Sequence, residues 1–285
     1  MRAVVLSGGG AFGSYEAGAL KYLAQEEKRE WDLLCGVSAG ALNAAYLSQA
    51  KQGELGEYSE KLCQLWVTTS TPMVYKKWPL GYLGALCHPS VFNSRPYVKL
   101  VQDNLDLAKV AVSGRKARIG AVCWDTGEYH VATEQSSIFD WWTIASASFP
   151  VFFLPVKIDG KHYGDGGLRN VTPIKEALKA GAKKIDVIVA QNVNTISEWV
   201  SKGKNAIPDY MIRGLDIITK EVSLTDLQVA GIENPFVELT ESYSDVKITV
   251  CQPTKPLAGS SLEFNPETAK ENIRRGYEDA KRVWG

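Results

Sequence analysis

Three short stretches of this chain hold residue types suited to chemistry at an ester carbonyl. The first is Gly36-Val37-Ser38-Ala39-Gly40, a G-x-S-x-G set. A serine raised on a tight turn between strand and helix needs small residues on both sides. A Cβ at Gly36 or Gly40 would strike the neighbouring backbone, and the turn aims the hydroxyl over a helix N-terminus, where negative charge is favoured. Alone, these five residues read equally well as a serine capping a helix. The second stretch is Gly8-Gly9-Gly10-Ala11-Phe12-Gly13. Three successive glycines let several backbone N–H groups converge on one point, as an oxyanion would require. The third is Tyr163-Gly164-Asp165-Gly166-Gly167-Leu168. Alone it is an Asp-Gly turn. A carboxylate of ordinary pKa, about 3.9, is a weak base toward a hydroxyl, but desolvation and a direct hydrogen bond improve it, and glycines such as Gly166 and Gly167 permit the close approach.

The glycine loop also satisfies G-x-G-x-x-G, so a nucleotide-binding module is a competing reading. Against it, the acid that should hold a ribose belongs at the end of the second strand. Asp32 stands at its start, and the end is Gly-Val-Ser. The three histidines, His88, His130 and His162, offer little toward a triad. His162 is three residues from Asp165, which on a continuous strand points the two side chains to opposite faces. The aromatic residues Trp78, Tyr82, Phe92, Trp141, Trp142, Phe149, Phe152 and Phe153 are expected mainly in the core, with an acyl pocket or lipid contact as the alternative.

Positioning these groups requires a βα-repeating frame. Residues 3–7 read as a strand, followed by the glycine loop and a helix from Ser14; residues 33–37 and 39–49 repeat the pattern, which implies a parallel sheet. Residues 51–110 read as helices broken by Pro72, Pro79, Pro89 and Pro96 and packed over one end of the sheet. Residues 118–123 and 129–133 flank a hairpin turn at Asp125-Thr126-Gly127, and 141–148 form a short helix. Residues 156–163 read as one returning strand, 172–180 as a helix, 184–190 and 245–251 as strands. Asn265-Pro266-Glu267 opens a last helix.

Taken together, the glycine loop, the G-x-S-x-G set and the later D-G-G resemble, in that order, the motifs of the patatin-like phospholipases. The segment from Ala145 to Val156 and the ending over 264–280 are similar to theirs as well, whereas 51–110 resembles them only loosely. The resemblance implies a three-layer α/β/α fold with a mostly parallel central sheet, built as a single domain over 1–285 with 51–110 as a helical region over the sheet and 264–284 as a C-terminal helix. It implies a Ser-Asp dyad in which Ser38 is the nucleophile, Asp165 the base, and Gly8, Gly9 and Gly10 line the oxyanion loop, supported by Gly13, Gly36, Gly40, Gly166 and Gly167. The expected activity is hydrolysis of fatty-acyl esters in lipids, with no metal or organic cofactor. An acyltransferase or a non-lipid carboxylesterase on the same fold are the alternatives. One position departs from the pattern: the family commonly carries Arg or Lys before the last glycine of its first motif, and this chain has Phe12. The loop must then be steadied by packing.

Composition agrees with a large globular core and favours no polyanionic partner. The 285 residues are 45% hydrophobic, and 32 basic residues balance 32 acidic ones, so no global field recruits nucleic acid. Five scattered cysteines, without C-x-x-C spacing, read as reduced thiols. No apolar run has the length of a membrane span or a secretory core. The expectation is a cytoplasmic protein of undetermined oligomeric state that meets its lipid or acyl-ester substrate by transient contact with a membrane surface.

Overall fold

The structure, a computed structural model, describes residues 1–192, 207–229 and 245–285. Its strands are β1 (Arg2–Leu6), β2 (Leu33–Val37), β3 (Lys76–Lys77), β4 (Phe92–Asn93), β5 (Lys116–Cys123), β6 (Tyr129–Thr133), β7 (Val156–Ile158), β8 (Lys161–Asp165), β9 (Lys184–Ile188) and β10 (Lys247–Cys251). Its helices are α1 (Gly13–Gln25), α2 (Ala39–Leu47), α3 (Leu55–Thr68), α4 (Thr71–Val74), α5 (Tyr82–Ala85), α6 (Arg95–Asn104), α7 (Leu107–Val112), α8 (Phe139–Ser146), α9 (Ile174–Lys179), α10 (Ile207–Val229) and α11 (Pro266–Trp284).

The central sheet runs β10-β9-β1-β2-β5-β8-β7, with β6 also paired to β5. Every pairing from β10 to β5 is parallel; β6, β7 and β8 add antiparallel edges. Side-chain alternation along β1 explains the three layers. Val4 and Leu6 enter one core with α1, α2 and α3, whereas Ala3 and Val5 enter the other with Ile174 and Ala177 of α9 and Leu227 of α10. On the first face, α2 is alanine-rich and buried nearly all round, the composition of a helix enclosed by other elements. Helix α11 begins where the sequence predicts, with the Asn265 side chain accepting the Glu267 N–H at 2.8 Å. Gly276 lets it lie against α1, since a Cβ there would collide with the Tyr15 carbonyl.

Two expectations need correction, and one helix goes beyond them. Residues 156–163 are two strands, not one, because Asp159 and Gly160 both adopt positive φ and turn the chain between β7 and β8. The 51–110 region is not only helical: β3 and β4 pair as a small antiparallel sheet. Helix α10, unforeseen in the sequence, covers part of the second face through Leu227.

Candidate active site

Ser38 sits between β2 and α2 with φ 55° and ψ −124°, backbone that a residue with a side chain adopts only at a cost. The surrounding glycines are dictated by contact: a Cβ on Gly36 would meet the Gly40 carbonyl, and one on Gly40 the Leu6 carbonyl. The turn is pinned by the Ser38 N–H donating to Ser146 Oγ of α8 at 3.0 Å and by the Gly40 N–H donating to the Ser7 carbonyl at 3.1 Å. The serine hydroxyl therefore stands above the carboxyl end of the parallel sheet, where open α/β sheets bind ligands.

Strand register brings Asp165 to it. Val37, the last residue of β2, pairs with Gly120 of β5, and the next β5 residue, Ala121, pairs with Asp165. Because β6 occupies the other edge of β5 over the same stretch, β2 and β8 meet end to end along a single edge. Gly166 fits this junction because a Cβ there would collide with the Gly120 carbonyl. Asp165 is 2% exposed. Its Oδ1 accepts the Gly167 N–H at 2.8 Å, while its buried Oδ2 lacks a well-formed hydrogen bond among the described residues. Burial pushes its carboxyl up to about 7; the neighbouring Ser38 side chain and the Gly167 N–H both favour the charged form and oppose that rise. A buried carboxylate oxygen left open beside a strained serine is an arrangement suited to taking a proton.

The glycine loop follows β1 alongside. Its N–H groups are not equivalent: Gly8 donates to the Val171 carbonyl at 2.9 Å, Ala11 to Ser261 at 2.7 Å and Phe12 to Gly9 at 3.1 Å. The Gly9 and Gly10 N–H groups have no protein acceptor among the described residues. Gly8 is thus anchored to Val171, while Gly9 and Gly10 keep their N–H groups beside the cavity that all three glycines line. Gly10 takes φ +57°, and a Cβ there would strike the Ser261 carbonyl. Gly13 lies under Trp66 and Ala39, whose side chains leave no space for a Cβ.

Phe12, half-buried, brings no cation to the loop. A buried polar network on α1 and α2 lies beneath it instead. Asn43 donates to Glu16 Oε2 at 2.9 Å and to the Gly13 carbonyl at 3.0 Å, and accepts from Trp66 Nε1 at 2.9 Å. Ser7 Oγ approaches Glu16 Oε1 at 3.4 Å and accepts the Ala190 N–H at 2.8 Å. Burial holds the Glu16 carboxyl well above the ordinary carboxylate range, which favours its neutral form. Asp226 of α10 acts similarly on the other side, accepting the N–H groups of Val171 and Thr172 at 2.7 and 2.9 Å. Since Val171 holds Gly8, α10 reaches the glycine loop through one residue. None of Glu16, Asn43 and Asp226 carried a sequence signal beyond being polar among apolar neighbours.

Ser38, Asp165 and Gly8, Gly9 and Gly10 all line one cavity of about 140 Å³, whose further wall is chiefly apolar: Leu42, Tyr46, Leu62, Leu65, Val101 and Leu105. Of the aromatic candidates, Phe149 and Phe153 line it; Trp78, Phe92, Trp142 and Phe152 are buried elsewhere, and Tyr82 and Trp141 are exposed. None of the histidines lines it. His88 stacks on Trp78, His130 on Trp142, and His162 Nδ1 lies 3.6 Å from Asp125. Asp32 accepts the Arg2 N–H at 2.8 Å, at the opposite end of β1 from the glycine loop, where it cannot serve a dinucleotide.

A family model described as patatin-like phospholipase matches residues 4–178, more than half of the chain. The chain is 25% identical over 283 residues to the uncharacterized protein YjjU of Escherichia coli (strain K12), covering 96% of this chain and 74% of that protein. Among solved structures it is similar to VipD from Legionella pneumophila, with 12% identity and a TM-score of 0.49, over 99% of this chain and 66% of VipD.

Proposed function

Because the chain belongs to the patatin-like phospholipase family, generally made up of serine acyl hydrolases, we propose that it hydrolyses fatty-acyl esters of lipids with Ser38 as nucleophile and Asp165 as base. The observation that carries this reading is the convergence of a strained serine, a desolvated aspartate and two open N–H groups on one apolar cavity. Ser38 Oγ attacks the ester carbonyl as its proton passes to Asp165. The Gly9 and Gly10 N–H groups receive the oxyanion. Collapse of the intermediate expels the alcohol, which takes the proton from Asp165 and leaves an acyl-Ser38 ester. Water then gives a proton to Asp165 and its oxygen to the acyl carbon, and departure of the fatty acid returns that proton to Ser38. The apolar wall suits an acyl chain, and its volume is close to that of cavities that hold a benzene-sized guest, so it takes part of a chain rather than a whole diacyl lipid.

The test is labelling with a fluorophosphonate probe beside turnover of an acyl ester, in wild type, Ser38→Ala and Asp165→Asn. Labelling and turnover should both vanish in folded Ser38→Ala, and turnover should fall by about three orders of magnitude or more in Asp165→Asn. Ester turnover surviving in folded Ser38→Ala would sink the reading.

A further inference from the structure

The chain is neutral overall, but its charges are not evenly distributed. Between Glu60 and Asp103 there is no acidic residue, while Lys61, Lys76, Lys77, Arg95 and Lys99 all fall there. Lys61 is paired with Glu57 and Lys99 with Asp103. Lys76, Lys77 and Arg95 are exposed and have no carboxylate partner among the described residues. The 14-residue loop joining β3 to β4 carries no Asp, Glu, Lys or Arg at all.

That loop holds the most exposed large apolar side chains among the described residues: Leu80 at 85%, Leu86 at 83% and Leu83 at 74%, with Tyr82 at 53%. Singly exposed leucines are ordinary; three at i, i+3 and i+6 on one short loop are a patch. The loop is built to present them. Trp78 is buried at its base, donates from Nε1 to the Ser90 carbonyl at 3.0 Å and stacks on His88. Lys77 Nζ lies over the Tyr82 ring at 5.3 Å. The anchor thus points inward, the leucines outward, and the cations stand at the stem. The stem also abuts the catalytic cavity. Val74 lines that cavity, and Tyr75 packs on Phe92 of β4 and on Phe153, another lining residue.

We propose that the loop between β3 and β4 is the membrane-docking surface of this protein, with Leu80, Leu83 and Leu86 entering the acyl boundary of an anionic bilayer and Lys76, Lys77 and Arg95 meeting its phosphate headgroups. Apolar side chains on a loop whose stem carries cations without a carboxylate partner fit the interface of a bilayer, where the hydrophobic and electrostatic contributions act together. The choice of a lipid surface over another protein rests on the acyl-hydrolase reading. Docking there brings Val74 of the cavity wall, and Tyr75 packed behind Phe153 of that wall, to the membrane that holds the substrate.

The test uses the full chain in co-sedimentation with vesicles of phosphatidylcholine, and of phosphatidylcholine containing about one-third phosphatidylglycerol. Wild type should bind the anionic vesicles more tightly, and less so as salt rises. The triple variant Leu80→Asp/Leu83→Asp/Leu86→Asp should lose roughly tenfold or more of that binding, while turnover of a soluble short-chain ester stays unchanged and so reports that the protein is folded. Lys76→Glu/Lys77→Glu should abolish the preference for anionic vesicles. Ser38→Ala should bind vesicles as wild type does. If that variant binds and wild type turns over no ester, the hydrolase reading fails and the docking surface stands. Wild type that turns over the soluble ester without binding vesicles overturns the docking surface alone. A wild-type dimer that the leucine variant converts to monomer assigns the patch to a second copy and also overturns it.

Discussion

At the scale of single residues, the proposed dyad makes Asp165 the group whose titration should govern the pH behaviour. Its ordinary value is 3.8, and burial in the fold pushes it up to about 7. As base it must be ionised, so kcat/KM for a soluble ester should rise through about pH 7 and level off above it. Stability runs the other way. A carboxyl whose folded value exceeds its unfolded one makes the fold take up protons, so its contribution is fully present below 3.8 and lost as pH rises through about 7. Asp165→Asn should therefore unfold at higher temperature than wild type near pH 8, by the equivalent of about 4 kcal/mol, with the difference vanishing near pH 4. A flat pH–rate profile between pH 5 and pH 8 would show that Asp165 is not the titrating base. Ser38 and the glycines are legible in the sequence because a strained turn and close backbone approach leave room for few other residues, and Asp165 because glycines flank it. Glu16 and Asn43 are not, since a buried polar pair on helical segments looks in sequence like any other polar residue until its partners are known.

At the scale of elements, the site depends on a strap after β8 that is held from α10. Asp226 Oδ2 accepts two N–H groups there, and Thr172 Oγ1 lies 2.8 Å from Ser223 Oγ. Its carboxyl is raised to about 6 by burial, offset by those two donors. Removing the acceptor frees Val171, whose carbonyl fixes the Gly8 N–H. Asp226→Ala is expected to lower kcat about tenfold or more with a smaller change in KM, because the glycine loop matters most where oxyanion charge develops. Asp226→Asn keeps an acceptor oxygen and should restore most of the loss; equal damage in both variants would assign Asp226 a purely structural role. Of the elements that read correctly, α11 has a strong helical period, whereas β1, β2, β9 and α2 stand out as continuous apolar runs with sharp ends. The β7–β8 turn is legible in the Asp159-Gly160 pair, a hairpin signal that a reading of 156–163 as one strand passes over. The β3–β4 pair was hidden because two-residue strands leave no period to detect, and its pairing joins residues far apart in sequence.

At the scale of the molecule, the helices of the 51–110 region close a cavity over the carboxyl end of the sheet. Its far wall comes from α2, α3 and α6, whereas its reactive groups come from strand ends. An acyl chain reaching away from Ser38 would run between those helices, so on the proposed function chain length and chemistry would be set by separate parts of the fold. Val101 of α6 is 8% exposed and lines the cavity. Val101→Phe should fill space that the distal methylenes of a long chain occupy. Excluding two methylenes forfeits about 1.6 kcal/mol at roughly 0.8 kcal/mol each, which is a little over tenfold in kcat/KM. The expected result is that loss for a long-chain ester with little change for a short-chain one, measured on a chain-length series with thermal unfolding as the control for overpacking. Equal losses at every chain length would mean that the acyl group lies outside this cavity, and that the helical layer shapes the site without selecting its substrate.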